Sequence, residues 1–166
     1  MRLVILGAGG YGRTVADIAC QLSYKIIFLD DNSDTARGNC ADFVQYVNDN
    51  TWFYPAFGNN GTRLNLLYRL LAANCQIPTI VHPTAYVSPT AQVESGTVIL
   101  PHAVVNTNCV VKAGCIVNCG AIVDHGCILE EGVHICLGAI VKAENRIPRC
   151  IKIEAGEVVQ NRAYPL

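Results

Sequence analysis

From Val81 onward an aliphatic residue returns at every sixth position: Val81, Val87, Val93, Ile99, Val105, Val111, Val117, Val123, Leu129, Ile135, Val141, Ile147, Ile153 and Val159. A small residue stands two places before most of them, as at Ala85, Ala103, Cys109, Ala121 and Ala139. Glycine stands three places after many, as at Gly96, Gly114, Gly120, Gly126, Gly132 and Gly138. Neither the helical period of about 3.6 nor the strand period of 2 produces this spacing. A short fixed repeat specifies a solenoid, and a hexapeptide repeat specifies a parallel β-helix. Each hexad supplies a short strand and a corner, and three hexads close one triangular coil. The large and small members of a hexad both face inward, because side chains alternate along a strand. Glycine then supplies the corner, where positive φ is required. Residues eighteen apart are expected to stack at about 4.8 Å, the spacing of paired strands.

The pattern before residue 79 is different. Arg2 to Leu6 reads as a buried strand, followed by Gly7-Ala8-Gly9-Gly10-Tyr11-Gly12 and then by Val15, Ile18, Ala19 and Leu22 at helical spacing. A second strand, Lys25 to Leu29, ends in Asp30-Asp31. Strand, glycine turn, helix, strand and acidic end is the order of a nucleotide-binding βαβ unit. The glycines admit a phosphate to the amides at the helix N-terminus, and the acidic residues suit ribose hydroxyls. A short amphipathic segment around Ala41 to Val47 follows. Then come a strand at Trp52 to Phe57, which Pro55 marks as an edge, Gly58-Asn59-Asn60, and a helix from about Thr62 to Ala73. Three or four strands make only half of a dinucleotide site, so a single nucleotide such as that of an activated sugar is expected. The expected domains are residues 1–78, Rossmann-like α/β, and residues 79–166, a β-helix of hexapeptide repeats.

Composition narrows the function. A net charge of −1 with no basic stripe argues against nucleic acid. No apolar run reaches the roughly 18 residues of a membrane span, and the opening residues lack the layout of a signal peptide. Nine cysteines, five of them between residues 109 and 136, show neither zinc nor disulfide spacing. They read as small buried thiols in a reducing cytoplasm. Among the histidines, His82 and His102 read as structural, at a junction and a corner. His125, between Asp124 and Gly126, and His134, just before the inward Ile135, are expected to face outward on different walls. Asn118 sits one hexad before Asp124.

The chain resembles the sugar acetyltransferases that join a Rossmann-like nucleotide-sugar domain to a left-handed β-helix, of the sialic acid and UDP-bacillosamine acetyltransferase type. The likeness runs from Met1 to about Ala139. It rests on the glycine turn, Phe28-Leu29-Asp30-Asp31, Phe57-Gly58-Asn59-Asn60 with Arg63, Val81-His82-Pro83-Thr84-Ala85, and above all Asn118-Cys119-Gly120-Ala121-Ile122-Val123-Asp124-His125. The resemblance implies a homotrimer with its active site in the groove between neighbouring β-helices. It implies acetyl-coenzyme A as co-substrate, a nucleotide-linked sugar as acceptor, and no metal. His125 would be the general base beside Asp124, Asn118 would lie near the acceptor, and His134 along the pantetheine arm. Gly9, Gly10 and Tyr11 would line the nucleotide pocket, with Asp30, Asp31 and Gly58 at the base or ribose. A neutral imidazole suits the role of base at cytoplasmic pH.

Two features depart from the family. Gly126 stands where members often carry an acid directly after the base, and the glycines lapse through Lys142-Ala143-Glu144-Asn145-Arg146. They favour an alternative, a nucleotide-sugar-binding trimer that has lost catalysis. A trimeric metal hydratase would need His102, His125 and His134 to converge, and their different faces argue against it.

Overall fold

The computed structural model describes residues 1–166, which divide into two compact units, Met1–Ile80 and Val81–Leu166. In the first, β1 (Arg2–Leu6) is flanked in parallel by β2 (Lys25–Leu29) and β3 (Thr51–Pro55), in the order β2-β1-β3. The central strand is the most apolar, with Leu3, Val4, Ile5 and Leu6 all fully buried. Pro55 ends an edge strand, where its missing N–H costs no ladder bond. Helix α1 (Gly10–Gln21) buries Val15, Ile18 and Ala19, and α2 (Asn60–Ala72) buries Leu64, Leu67 and Leu70. The segment expected to be amphipathic is a 3-10 helix, Cys40–Tyr46.

Helix α1 starts at Gly10, ahead of its first apolar position at Val15, because Gly10, Tyr11 and Gly12 already form its first turn after Gly9. The turn is close-packed at two glycines. A side-chain carbon at Gly12 would fall 2.0 Å from the Gly7 carbonyl oxygen, and one at Gly7, whose φ is +110°, 2.7 Å from that of Ala56. At Gly9 and Gly10 nothing lies within 4 Å.

The second unit is the three-sided prism that the repeat demands. Two-residue strands stack in parallel on three faces. The first face holds Ile80–Val81, Val98–Ile99, Ile116–Val117, His134–Ile135 and Lys152–Ile153. The second holds Tyr86–Val87, Val104–Val105, Ile122–Val123, Ile140–Val141 and Val158–Val159. The third holds Gln92–Val93, Val110–Val111, Ile128–Leu129 and Arg146–Ile147. Partners are eighteen residues apart, as in Ile122 with Val104 and Ile140. The inward aliphatic and small residues form one continuous core from Ile99 to Val159.

The small inward residues do more than leave room. The Cys109 and Cys115 thiols donate to the carbonyls of Asp124 and Glu130 at 3.0 and 3.1 Å. The Thr97 hydroxyl and the Asn145 amide do the same toward Lys112 and Gln160, at 3.0 and 2.9 Å. In each case the acceptor is the corner carbonyl fifteen residues ahead, so a polar atom at this slot ties the core to the corner of the next coil. Where the corner glycine lapses, His102, Asn108, Glu144, Cys150 and Arg162 take its positive φ, from 55 to 59°. His102 is therefore an exposed corner residue. His82, as expected, serves the junction: its Nδ1 accepts the Thr84 amide at 3.1 Å.

Candidate active site

The second face of the prism separates two polar corners. At the corner leading into it, Asn118 follows Val117, and His134 projects from the adjoining first face in the next coil. The Asn118 Nδ2 lies 3.2 Å from His134 Nε2. At the corner leading out of it, His125 follows Val123 and Asp124. The His125 residue is exposed, and its ring takes no hydrogen bond within the chain. Asp124 is tied to the backbone: its Oδ1 accepts the His125 amide at 2.7 Å and the Asn106 Nδ2 at 3.3 Å. One copy of the chain thus brings Asn118 and His134 together and holds His125 one face away, with Asp124 as a turn-forming carboxylate beneath it.

The face between these corners is apolar along its whole outward side. Tyr86, Val104, Ile122, Ile140 and Val158 occupy the five outward strand positions, and Tyr86, Ile122 and Val158 are 53, 38 and 42% exposed. The third face carries Gln92 and Arg146 at equivalent positions. Outward apolar residues do not shape the period-six signal, which reports the inward side, so reading the sequence for that signal passes over them.

In the first unit, Gly9, Gly10 and Gly58 border open space. The Asp30 Oδ2 accepts the Ala8 amide at 2.6 Å and its Oδ1 accepts that of Asn32 at 2.8 Å, so this carboxylate fastens the glycine turn to the end of β2. Asp31 accepts the Cys40 amide at 2.8 Å. It also borders two cavities. One, of about 320 Å³, is lined by Asp30, Asn32, Ser33, Asp34 and Asn39. The other, of about 270 Å³, is lined by Cys40, Phe57, Thr62, Asn65 and Arg69. The Cys40 thiol is pushed up to about 11 by burial and by the neighbouring carboxylates, which keeps it protonated there.

The Tyr11 hydroxyl turns inward to that of Tyr54, 2.8 Å away. Burial first, and Tyr54 next, hold the Tyr11 phenol well above its ordinary range, against the pull of Arg63. Arg63 is fully buried. Its guanidinium donates to the Phe57 carbonyl at 3.0 Å and to Asn60 Oδ1 at 2.9 Å, fixing the loop that carries Gly58. No three His, Cys, Asp or Glu side chains gather closely enough to hold a metal ion, and no helix is long and apolar enough to cross a membrane.

The fold has counterparts in known proteins. The family model of the PglD N-terminal domain matches residues 2–70. The acetyltransferase domain of PglB from Neisseria gonorrhoeae FA1090 is 33% identical, with a TM-score of 0.93 over 97% of this chain and 83% of that one. The chain belongs to this acetyltransferase family. The same PglB domain in complex with acetyl coenzyme A is 34% identical, with a TM-score of 0.91 over 97% of this chain and 82% of that one. A point mutant of perosamine N-acetyltransferase from Caulobacter crescentus, in complex with CoA and GDP-perosamine, shares the fold. Its TM-score is 0.84 at 17% identity, over 97% of this chain and 89% of that one. No curated protein sequence matches the chain. Family membership makes the protein an acyltransferase by class, built as an α/β unit followed by a left-handed β-helix.

Proposed function

We propose that the protein transfers the acetyl group of acetyl-coenzyme A to an amine of a nucleotide-linked sugar, with His125 as general base. The observation that carries this reading is the likeness, over 97% of the chain, to an acetyltransferase domain whose structure holds acetyl coenzyme A. The C. crescentus relative, an N-acetyltransferase in complex with a nucleotide sugar, favours an amine over a hydroxyl as acceptor.

The working unit is a trimer. Three copies packed through their second faces would bury the apolar stripe of Tyr86, Ile122 and Val158 around a threefold axis. The His125 corner of one copy then adjoins the Asn118–His134 corner of the next, and two half-sites become one groove. The thioester lies against the wall that carries His134 and Asn118, and the acceptor lies beside His125. The nucleotide is held where Gly9, Gly10 and Gly58 leave room for it, near Asp31. Free thiols at all nine cysteines suit a reducing, cytoplasmic setting.

In the reaction the neutral sugar amine attacks the thioester carbonyl carbon and forms the C–N bond, while His125 accepts the proton that the nitrogen sheds. Collapse of the tetrahedral species breaks the C–S bond. The departing thiolate takes that proton from the imidazolium, giving amide and free thiol and returning neutral His125. Proton transfer of this kind contributes about 10²–10⁴-fold, and alignment of the two substrates in the groove contributes by proximity.

Thiol release from acetyl-coenzyme A, measured with a panel of UDP-, GDP- and CMP-linked amino sugars, tests the reading. Turnover is expected with at least one sugar, and His125→Ala is expected to lower kcat by about 10²–10⁴-fold. A protein that binds a nucleotide sugar but releases no thiol is instead a binding scaffold, the outcome that Gly126 would favour.

A further inference from the structure

His125 is held by its backbone and not by its ring. Hydrogen bonds fix both ends of the two peptide planes that meet at its Cα. In the plane before it, the Asp124 carbonyl accepts the Cys109 thiol at 3.0 Å, and the His125 amide donates to Asp124 Oδ1 at 2.7 Å. In the plane after it, the His125 carbonyl accepts the Glu144 amide at 3.2 Å, and the Gly126 amide donates to the Thr107 carbonyl at 2.9 Å. A peptide unit is planar, so a bond at each end sets its orientation. Two fixed planes then set the direction of the Cα–Cβ bond between them. The ring is exposed and takes no hydrogen bond within the chain, so this frame alone aims it.

Of these bonds, the one from Cys109 is the only one made by a side chain of another coil. In the same corner column the carbonyls of Ser88 and Asn106 are taken by the amide three residues on, at 2.9 and 3.4 Å. The Asp124 carbonyl is taken by the thiol. The inward slots differ accordingly. Those fifteen residues before the corners that lead into the second face, Ala85, Ala103, Ala121 and Ala139, carry no donor. Those before the corners that lead out of it include Cys109, Cys127 and Asn145, and all three donate to a corner carbonyl.

We propose that Cys109 is a positioning residue for acetyl transfer: its thiol holds the Asp124 carbonyl from inside the core and so aims the His125 ring at the acceptor. The proposal rests on the assignment of His125 as the base. Removing the donor frees one end of the peptide plane before His125. A base that is misaimed costs rate and not affinity, because other residues hold the two substrates.

The fold supplies its own controls. Cys115 is as buried as Cys109, and its thiol reaches the Glu130 carbonyl at 3.1 Å, at the corner that leads out of the third face. It has the same kind of bond without a histidine to aim. Thr97 shows that a hydroxyl serves in such a slot, since it reaches the Lys112 carbonyl at 3.0 Å.

The test compares Cys109→Ala, Cys109→Ser and Cys115→Ala in the full chain. The readouts are melting temperature, kcat and KM with acetyl-coenzyme A and an accepted sugar, and hydrogen exchange at the His125 amide, which needs no turnover. Cys109→Ala is expected to lower kcat about three- to tenfold, with both KM values changed less than about twofold, and to speed exchange at His125. Cys109→Ser is expected to bring kcat back to within about twofold of the unsubstituted protein, because the hydroxyl restores a donor. Cys115→Ala is expected to lower the melting temperature as Cys109→Ala does and to leave kcat level. If alanine at position 109 prevents folding, Cys109→Val and Cys109→Thr, alike in shape and different in donor, carry the same comparison. No loss of kcat in Cys109→Ala, an equal loss in Cys115→Ala, or a serine that restores nothing overturns the proposal. Absence of His125-dependent turnover in the unsubstituted protein defeats the assignment of the base instead, and exchange at the His125 amide still decides whether Cys109 holds the corner.

Discussion

Asn118 meets His134 through its nitrogen and not through its oxygen. The Asn118 Oδ1 already accepts the Cys119 amide at 2.8 Å, which leaves Nδ2 to face His134 Nε2 at 3.2 Å. An amide N–H₂ only donates, so Nε2 is the acceptor and the proton of the neutral ring resides on Nδ1. This pair fixes a tautomer on one wall of the proposed groove. Nitrogen NMR of the imidazole should report the Nδ1–H form in the unsubstituted protein. Asn118→Asp, which presents only acceptors, should convert it to the Nε2–H or doubly protonated form. An unchanged tautomer would show that Asn118 does not orient the ring.

The two kinds of glycine in the first turn predict opposite outcomes. Gly12→Ala places a carbon 2.0 Å from a backbone oxygen and should destabilise the first unit by about 3 kcal/mol. Gly10→Ala meets nothing within 4 Å and lies in the first turn of α1, where alanine is the better helix former. It should leave stability unchanged or raise it by about 0.5–1 kcal/mol. Its methyl group faces the space proposed for the nucleotide, so the KM for the sugar nucleotide should rise while that for acetyl-coenzyme A stays level. Denaturant melts and steady-state kinetics on the same two variants separate the effects.

Glu130 makes stability depend on acid. Its carboxylate lies 2.7 Å from the Lys112 ammonium and 2.6 Å from the Arg146 guanidinium, joining neighbouring coils along the third face. The Lys112 hydrogen bond above all, with Arg146 adding to it against partial burial, holds this carboxyl below the usual range. A lowered folded value means that the stabilisation is complete at neutral pH and is lost as pH falls through that value. Lys112 and Arg146 are 32 and 49% exposed, so solvent screening limits each pair to about 1 kcal/mol or less. Glu130→Gln should melt below the unsubstituted protein at pH 7, and the gap should close in acid.

Ile122 tests the trimer. It stands at the centre of the apolar second face and is 38% exposed in a single chain. Ile122→Asp should yield monomers in sedimentation experiments, because the charge cannot be desolvated at the centre of an apolar contact. The prism itself should stay folded, since the side chain points away from the core. Activity should fall with the trimer if the site is shared between copies. Monomers that retain full turnover would rule out a shared groove.

The period of six and the inward core were legible from Val81 to Val159 because one residue type at one spacing encodes them. So were the strand, turn and helix order of the first unit and the edge position of β3. That the side chains of Asn118 and His134 meet was not legible, because sixteen residues of chain separate them. The inward turn of Tyr11 escaped notice because its partner Tyr54 lies 43 residues away on another strand. The thiols of Cys109 and Cys115 read as bulk alone, since composition does not reveal that each faces a carbonyl.

The stacking by eighteens also governs how such a molecule changes length. Adding or deleting one whole storey leaves every wall continuous and every lower column intact. An insertion of six or twelve residues rotates everything above it by one or two walls, and a number that is not a multiple of six breaks the hexad register outright. Made between Asn118 and His134, a six-residue insertion would carry that imidazole to a different side of the tower from its amide partner. Growth of this architecture is therefore quantised, and the sixteen-residue interval between those two residues is held as firmly as either side chain.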